Sequence, residues 1–215
     1  MTGNSILGQI SECVVKAESE ELVRELTQKA VTEGYAAKDI IDQGLLAGLD
    51  TIGGMWTRGD AFIPEVLLSA KIMSAGMEVI RELIVKSGVK PVGKVVIGTV
   101  RGDVHDIGKS LVAMLLGSAG FEVTDLGVDV APERFVQVIK AEKPDLLGMS
   151  ALLTTTMPGI ADTIKAIQKE GLEVVTIIGG APVTQEYADR IGANGYAPDA
   201  VSAVAKAKEL LKIKR

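Results

Sequence analysis

Residues 94–125 read KVVIGTVRGDVHDIGKSLVAMLLGSAGFEVTD, and their rhythm decides the architecture. Lys94–Thr99 is short, apolar and rich in β-branched residues, as a strand buried on both faces would be. A polar loop follows, then a helical run over 108–119. Ala119-Gly120 breaks that run before a second strand at Glu122–Asp125. The alternation continues to the end of the chain. Strands are predicted at Leu146–Ser150, Val174–Ile178 and Gly195–Ala197, and helices over 131–142, 157–170, 184–191 and 199–212. Strand–helix alternation of this kind builds a parallel sheet covered on both faces. Five strands suggest the flavodoxin-like, Rossmann-type α/β order 2-1-3-4-5.

Upstream of residue 88 the period is helical. Glu20–Glu33 places Leu22, Val23, Leu26, Ala30 and Val31 on one face. Ala37–Met55 places Ile40, Ile41, Leu45, Leu49 and Ile52 on another. Gly44 and Gly48 lie four apart on that second segment, which costs helix propensity and points to close helix–helix packing. Ile63-Pro64-Glu65 opens a helix expected to reach about Lys86, with proline in a tolerated early position. With Ser5–Ala17 these segments make an all-α four-helix-bundle domain, 1–88, ahead of a sheet domain, 89–215. The stretch 87–94, with two glycines and a proline, reads as a solvated linker and hinge.

Composition narrows the function classes. Hydrophobic residues make up 47% and charged residues 24%, as in a soluble globular protein, while aromatics are only 3%. The net charge of −5 argues against a nucleic-acid partner, and the lysines near the C-terminus read as the solvated face of a last helix. One cysteine, Cys13, precludes an internal disulfide and fits a reducing compartment. Met1–Ile10 lacks the features of a signal peptide, and no apolar run approaches the ~20 residues that span a bilayer. A cytoplasmic protein with no membrane partner is expected.

Ligands of open parallel sheets bind at the carboxyl ends of the strands, where the winding reverses. For this strand order that point lies between the first and third strands. The loops 100–108 and 150–156 and the turn Gly179-Gly180-Ala181-Pro182 then share one rim. His105, the chain's one histidine, lies on the first of these loops. A lone loop histidine is usually an ordinary surface or satisfied residue. Here it sits at the switch point, with Asp103 two residues before it to bond one ring nitrogen and Gly108 leaving room for a large group. One histidine without a Cys or His cluster cannot build a protein zinc site, so a metal that brings its own equatorial ligands fits better. Gly108-Lys109-Ser110 imitates a phosphate-binding loop. Five residues separate Gly102 from Gly108 where that motif needs four, which puts the backbone cradle out of register.

Asp103-Val104-His105-Asp106-Ile107-Gly108 resembles the D-x-H-x-x-G signature of cobalamin-binding modules. Ser150-Ala151-Leu152 is similar to the accompanying S-x-L motif, and Gly179-Gly180 to the later double glycine. Gly54–Leu67 resembles the end of the helical cap found in methionine synthase and in corrinoid methyl carriers. The likeness covers nearly the whole chain and is nearest to the stand-alone corrinoid proteins of methylamine, methanol, betaine and methoxyaromatic methyltransferase systems.

The resemblance implies a cobalamin or related corrinoid cofactor, with His105 as the lower axial ligand of cobalt in a base-off, His-on state. Asp103 would orient His105, and Thr156, where the family often has serine, would complete the relay. Val104, Asp106, Ile107 and Gly108 would complete the cofactor loop. Ser150, Leu152 and Thr154 would line the channel for the displaced nucleotide tail, and Gly179, Gly180 and Ala181 would flank its buried base. Phe62 and Met73 are candidates for covering the upper corrin face, or for ordinary bundle core.

The implied function is methyl carriage through Co(I) and methyl-Co(III), in one-carbon metabolism. A substrate:corrinoid methyltransferase would load the methyl group. A methylcorrinoid:acceptor methyltransferase would pass it to a thiol or tetrahydropterin, and a reductive activase would restore the carrier. No constellation for activating a methyl donor is visible, so the chain would not be catalytic alone. A cobalamin-dependent sensor shares the two-domain pattern but usually adds a basic DNA-recognition helix, which is absent. The corrin subunit of a radical mutase commonly lacks the helical cap.

Overall fold

The structure is a computed structural model and describes residues 5–81, 83 and 90–212. The chain divides into two compact units, Met1–Lys90 and Pro91–Arg215.

In the first unit, α1 (Ile6–Lys16) and α2 (Glu20–Thr32) are each opened by a serine. The Ser5 hydroxyl accepts from the Gly8 amide at 3.1 Å, and the Ser19 hydroxyl accepts from the Leu22 amide at 3.0 Å. α3 (Ala37–Asp39) runs into a π-helical segment, Ile40–Leu45, which continues as α4 (Leu46–Arg58). The expected single α-helix over 37–55 is therefore interrupted by a wider turn, whose hydrogen bonds skip one residue further than in an α-helix. α4 ends at Gly59, whose φ of +79° is the left-handed conformation that glycine adopts without penalty. α5 (Ile63–Val79) starts with Pro64 in its first turn, and the Phe62 amide donates to Glu65 Oε2 at 2.7 Å. Residues 84–86, the expected end of that helix, and 87–89, the start of the expected linker, lie outside the described residues.

The helices close a ring in which α1 packs on α2 and α4, and α5 packs on α2 and α4. Ile10, Val14, Val23, Ile40, Leu45 and Met73 are fully buried at its centre. Gly48 permits the approach of α1. A Cβ at that position would stand 2.7 Å from the Ser11 carbonyl oxygen and 2.7 Å from Val14 Cβ. Close packing thus accounts for a glycine inside a helix.

The second unit is a five-stranded, all-parallel sheet in the order β2-β1-β3-β4-β5. Its elements in chain order are β1 (Lys94–Thr99), α6 (Ile107–Ser118), β2 (Glu122–Asp125), α7 (Pro132–Glu142), β3 (Leu146–Ser150), α8 (Pro158–Lys169), β4 (Val175–Gly179), α9 (Gln185–Ile191), β5 (Gly195–Tyr196) and α10 (Ala200–Leu210). β4 sits one residue later than the apolar run suggested, because Gly179 pairs with Ser150 and accepts from the Ala151 amide at 3.2 Å.

Alternate residues of each buried strand feed opposite cores. Val96, Leu147, Met149 and Ile178 pack with Phe135 of α7, Ile164 of α8 and Ala188 of α9. Val95, Leu146 and Ile177 pack with Leu116 of α6 and Ala203 and Ala207 of α10. The connection leaves β1 towards β2 over one face and returns to β3 over the other. The winding therefore reverses between β1 and β3. Register lines up Thr99, Ser150 and Gly179 side by side at the carboxyl ends of β1, β3 and β4.

Candidate functional site

The loop leaving β1 turns down into the protein at Asp103. This side chain is buried, and both carboxylate oxygens are occupied. Oδ1 accepts from the His105 backbone amide at 3.1 Å and lies 2.7 Å from His105 Nδ1. Oδ2 accepts from the Leu152 amide at 2.7 Å and from the Thr156 hydroxyl at 2.6 Å. Burial alone would raise the carboxyl pKa. The bonds from Thr156, Leu152 and His105 outweigh it and hold Asp103 well below the usual carboxylate range. An ionised Asp103 can only accept. In the neutral imidazole the hydrogen therefore sits on Nδ1, and Nε2 is left to act as a donor to a metal.

The His105 side chain is 46% exposed, so this nitrogen belongs to a ring that solvent or a ligand can reach. Its backbone carbonyl accepts from Thr99 Oγ1 at 2.9 Å, and Thr99 Oγ1 is also 2.9 Å from Ser150 Oγ. The histidine is fixed through its ring, its amide and its carbonyl.

Around it the rim is unusually apolar for exposed loops. Val104 is 72% and Ile107 86% exposed, and Leu152, Leu153 and Val128 also face solvent. Exposed apolar side chains gathered on neighbouring loops mark a binding surface. A Cβ built on Gly108 would meet nothing within 4 Å, so the start of α6 is open to a bulky group. Thr154 and Ala181 are exposed and Ser150 is half-buried on the same carboxyl-end loops.

Gly179 and Gly180, expected beside the buried base, are also required by the fold itself. Gly180 has φ +123°, and its Cβ would fall 1.9 Å from the Ala151 carbonyl oxygen. A Cβ on Gly179 would fall 2.9 Å from the Ala197 carbonyl oxygen. Both are required by the protein's own backbone, whatever lies beside them. Of the two residues singled out in the helical unit, Phe62 is 71% exposed, while Met73 is enclosed by the bundle core.

Three braces escape a reading of the sequence. Thr99 is signalled only by being polar at the end of an apolar strand. Asp129 has φ +53°. Its carboxylate accepts from the Gly102 amide at 2.7 Å, and its own amide donates to the Asp103 carbonyl at 2.9 Å. Lys109, taken from sequence as part of a false phosphate loop, is buried between Asp106 and Asp125, with Asp106 Oδ1 at 2.8 Å. Burial would lower its pKa, but the two carboxylates raise it overall, so it stays an ammonium.

Among the described residues no group of three or more His, Cys, Asp or Glu side chains could hold a metal ion. A single, oriented imidazole beside an apolar rim suits a metal that brings its own equatorial ligands. The donor set therefore fits a corrinoid. No described helix is long and apolar enough to cross a membrane.

Comparison with known proteins agrees with this geometry. Residues 93–205 match the family model described as B12 binding domain, and residues 6–81 match a second model of the same description. The chain is 44% identical to dimethylamine corrinoid protein 1 of Methanosarcina acetivorans, over 98% of this chain and 100% of that one. It is 43% identical to trimethylamine corrinoid protein 2 of Methanosarcina mazei, over 90% and 91%. Among solved structures it superposes on a chain of the methanol:cobalamin methyltransferase complex of Methanosarcina barkeri with a TM-score of 0.84 and 32% identity, covering 98% of this chain and 81% of that chain. The chain belongs to the B12-binding corrinoid protein family, and its cofactor is cobalamin or a related corrinoid.

Proposed function

We propose that this protein is a methyl carrier that holds its corrinoid base-off and His-on, with His105 Nε2 as the lower ligand of cobalt. The observation that carries the reading is the buried Asp103 carboxylate, which fixes the imidazole tautomer on one oxygen and is itself held by Thr156 and Leu152 on the other. A metal-ligating histidine needs such a partner to set ring orientation and basicity.

When bound, the corrinoid supplies the nucleophilic cobalt chemistry of methyl transfer. The chain's own residues bind and orient. Val104, Ile107 and Gly108 would give the corrin ring an apolar, open surface. Ser150, Leu152 and Thr154 would line the entry for the nucleotide tail. Gly179, Gly180 and Ala181 shape the turn beside it. Thr156 and Asp103 share the proton-bearing link to His105, so a change of charge at Nε2 is felt along that relay.

Activation of the methyl donor falls to a substrate:corrinoid methyltransferase. Transfer onward falls to a methylcorrinoid:acceptor methyltransferase with a thiol or pterin acceptor, and reduction to an activase, all in the cytoplasm. The association of a similar chain with a methanol:cobalamin methyltransferase complex supports such partnerships. Dimethylamine and trimethylamine proteins stand at almost equal identity to this chain, 44% and 43%, so overall likeness does not select the methyl donor.

The test is electron paramagnetic resonance of the protein reconstituted with cobalamin and reduced to Co(II). In protein labelled with nitrogen-15 histidine, His-on ligation is expected to give a nitrogen-15 doublet in place of the nitrogen-14 triplet of the corrinoid's own base, lost in His105→Ala together with about 10–100-fold of corrinoid affinity. Identical spectra and affinity in that variant would show that cobalt keeps its own base.

A further inference from the structure

A second buried charge beside Asp103 is Lys109, whose side chain is only 1% exposed. A buried ion pair is weak evidence for stability, since well-packed apolar residues often serve as well or better. Its partners suggest why a cation stands here. Asp106 directly follows His105 and forms the start of α6. Lys109 holds its Oδ1 at 2.8 Å, and the Ser110 hydroxyl donates to its Oδ2 at 3.0 Å. Asp125 ends β2. Its Oδ2 pairs with the same ammonium, and its Oδ1 accepts from the Gly127 amide at 2.9 Å.

From Gly127 the links return to the histidine. The Gly127 carbonyl accepts from the Thr99 amide at 3.0 Å, and Thr99 Oγ1 donates to the His105 carbonyl at 2.9 Å. Lys109 thus closes a circuit that runs from Asp106 through β2 and β1 back to His105. Asp103 fixes the loop ahead of the imidazole, and the Lys109 circuit fixes it behind.

We propose that Lys109 is a positioning residue for His105, setting the placement of the imidazole through Asp106 and Asp125. The proposal rests on the His105 ligation argued above. Its action is mechanical: the ammonium ties the first turn of α6 to the end of β2, and the ring hangs from the chain between that tie and Asp103. Without the charge, two carboxylates lose their common partner, and the 105–106 backbone loses its tie to β2 while keeping the bonds to Asp103 and Thr99.

The experiment uses the full chain reconstituted with hydroxocobalamin, in wild type, Lys109→Met and Lys109→Arg. Corrinoid affinity is read by absorbance titration, and ligation by the nitrogen-15 splitting that labelled histidine gives in the reduced Co(II) state. Circular dichroism establishes folding. Lys109→Met is expected to bind about tenfold more weakly, in the range seen when a partner that orients a ligand is removed. It should lose part of the nitrogen splitting, with Lys109→Arg recovering some of it. A folded Lys109→Met with wild-type affinity and undiminished splitting overturns the role. If Lys109→Met fails to fold, Asp125→Asn is read the same way, because it removes one partner from a half-exposed position. Unchanged splitting there overturns the role equally. Absence of nitrogen-15 splitting in the wild type would instead strike down the His105 ligation, and this inference with it.

Discussion

At the scale of single residues, Asp103 concentrates most of the site's chemistry. It accepts four hydrogen bonds in a buried position, two from His105 and one each from Leu152 and Thr156. Its folded pKa lies below that of an unfolded aspartate, near ~3.9. Its contribution to stability is therefore complete above that value and declines as the pH falls below it. In the apoprotein, Asp103→Asn is expected to cost about 2–3 kcal/mol at pH 7, the worth of hydrogen bonds to a charged group. The gap from wild type should begin to close below about pH 4. Urea denaturation at a series of pH values measures it, and a gap independent of pH would mean that folding leaves the Asp103 pKa unshifted. The pairing of Asp103 with His105 was legible in the sequence because the two lie two residues apart. Asp129 was not, since it reaches Gly102 and Asp103 from the loop after β2 across a gap in sequence that no local pattern marks.

At the scale of elements, the strands and helices of the sheet unit follow from periodicity to within a residue or two. β-branched runs and glycine breaks leave few alternatives. The π-helical segment Ile40–Leu45 does not follow, because widening one turn changes hydrogen-bond partners without changing which residues are apolar. The double glycine after β4 carries a requirement of the fold in addition to the one that the family resemblance implies. Its backbone passes so near Ala151 and Ala197 that side chains are excluded with or without a ligand. Gly180→Ala is therefore expected to destabilise the apoprotein by about 1–3 kcal/mol, as overpacking and a strained φ do. Chemical denaturation without corrinoid decides it. Unaltered apoprotein stability would return the glycine to the ligand.

Across the whole molecule, each unit has its own apolar core, and His105 belongs to the second. A ligand that binds only the folded form stabilises it by mass action. Free corrinoid at a hundredfold above its dissociation constant should add about 2.7 kcal/mol to the unit carrying His105. Differential scanning calorimetry with and without corrinoid reads this as an upward shift of one transition. His105→Ala should shrink the shift at the same corrinoid concentration, and an equal shift in both proteins would place the binding energy elsewhere.

His105 is also the sole histidine among the 215 residues. Feeding cells nitrogen-15 histidine would therefore light up a single ring in an NMR spectrum, with no mutagenesis and no overlapping signals to assign. Its two nitrogen shifts would report on their own which one carries hydrogen in the empty protein. The molecule thus carries its own isotopic reporter at the atom pair where loading, reduction and partner docking would leave their mark.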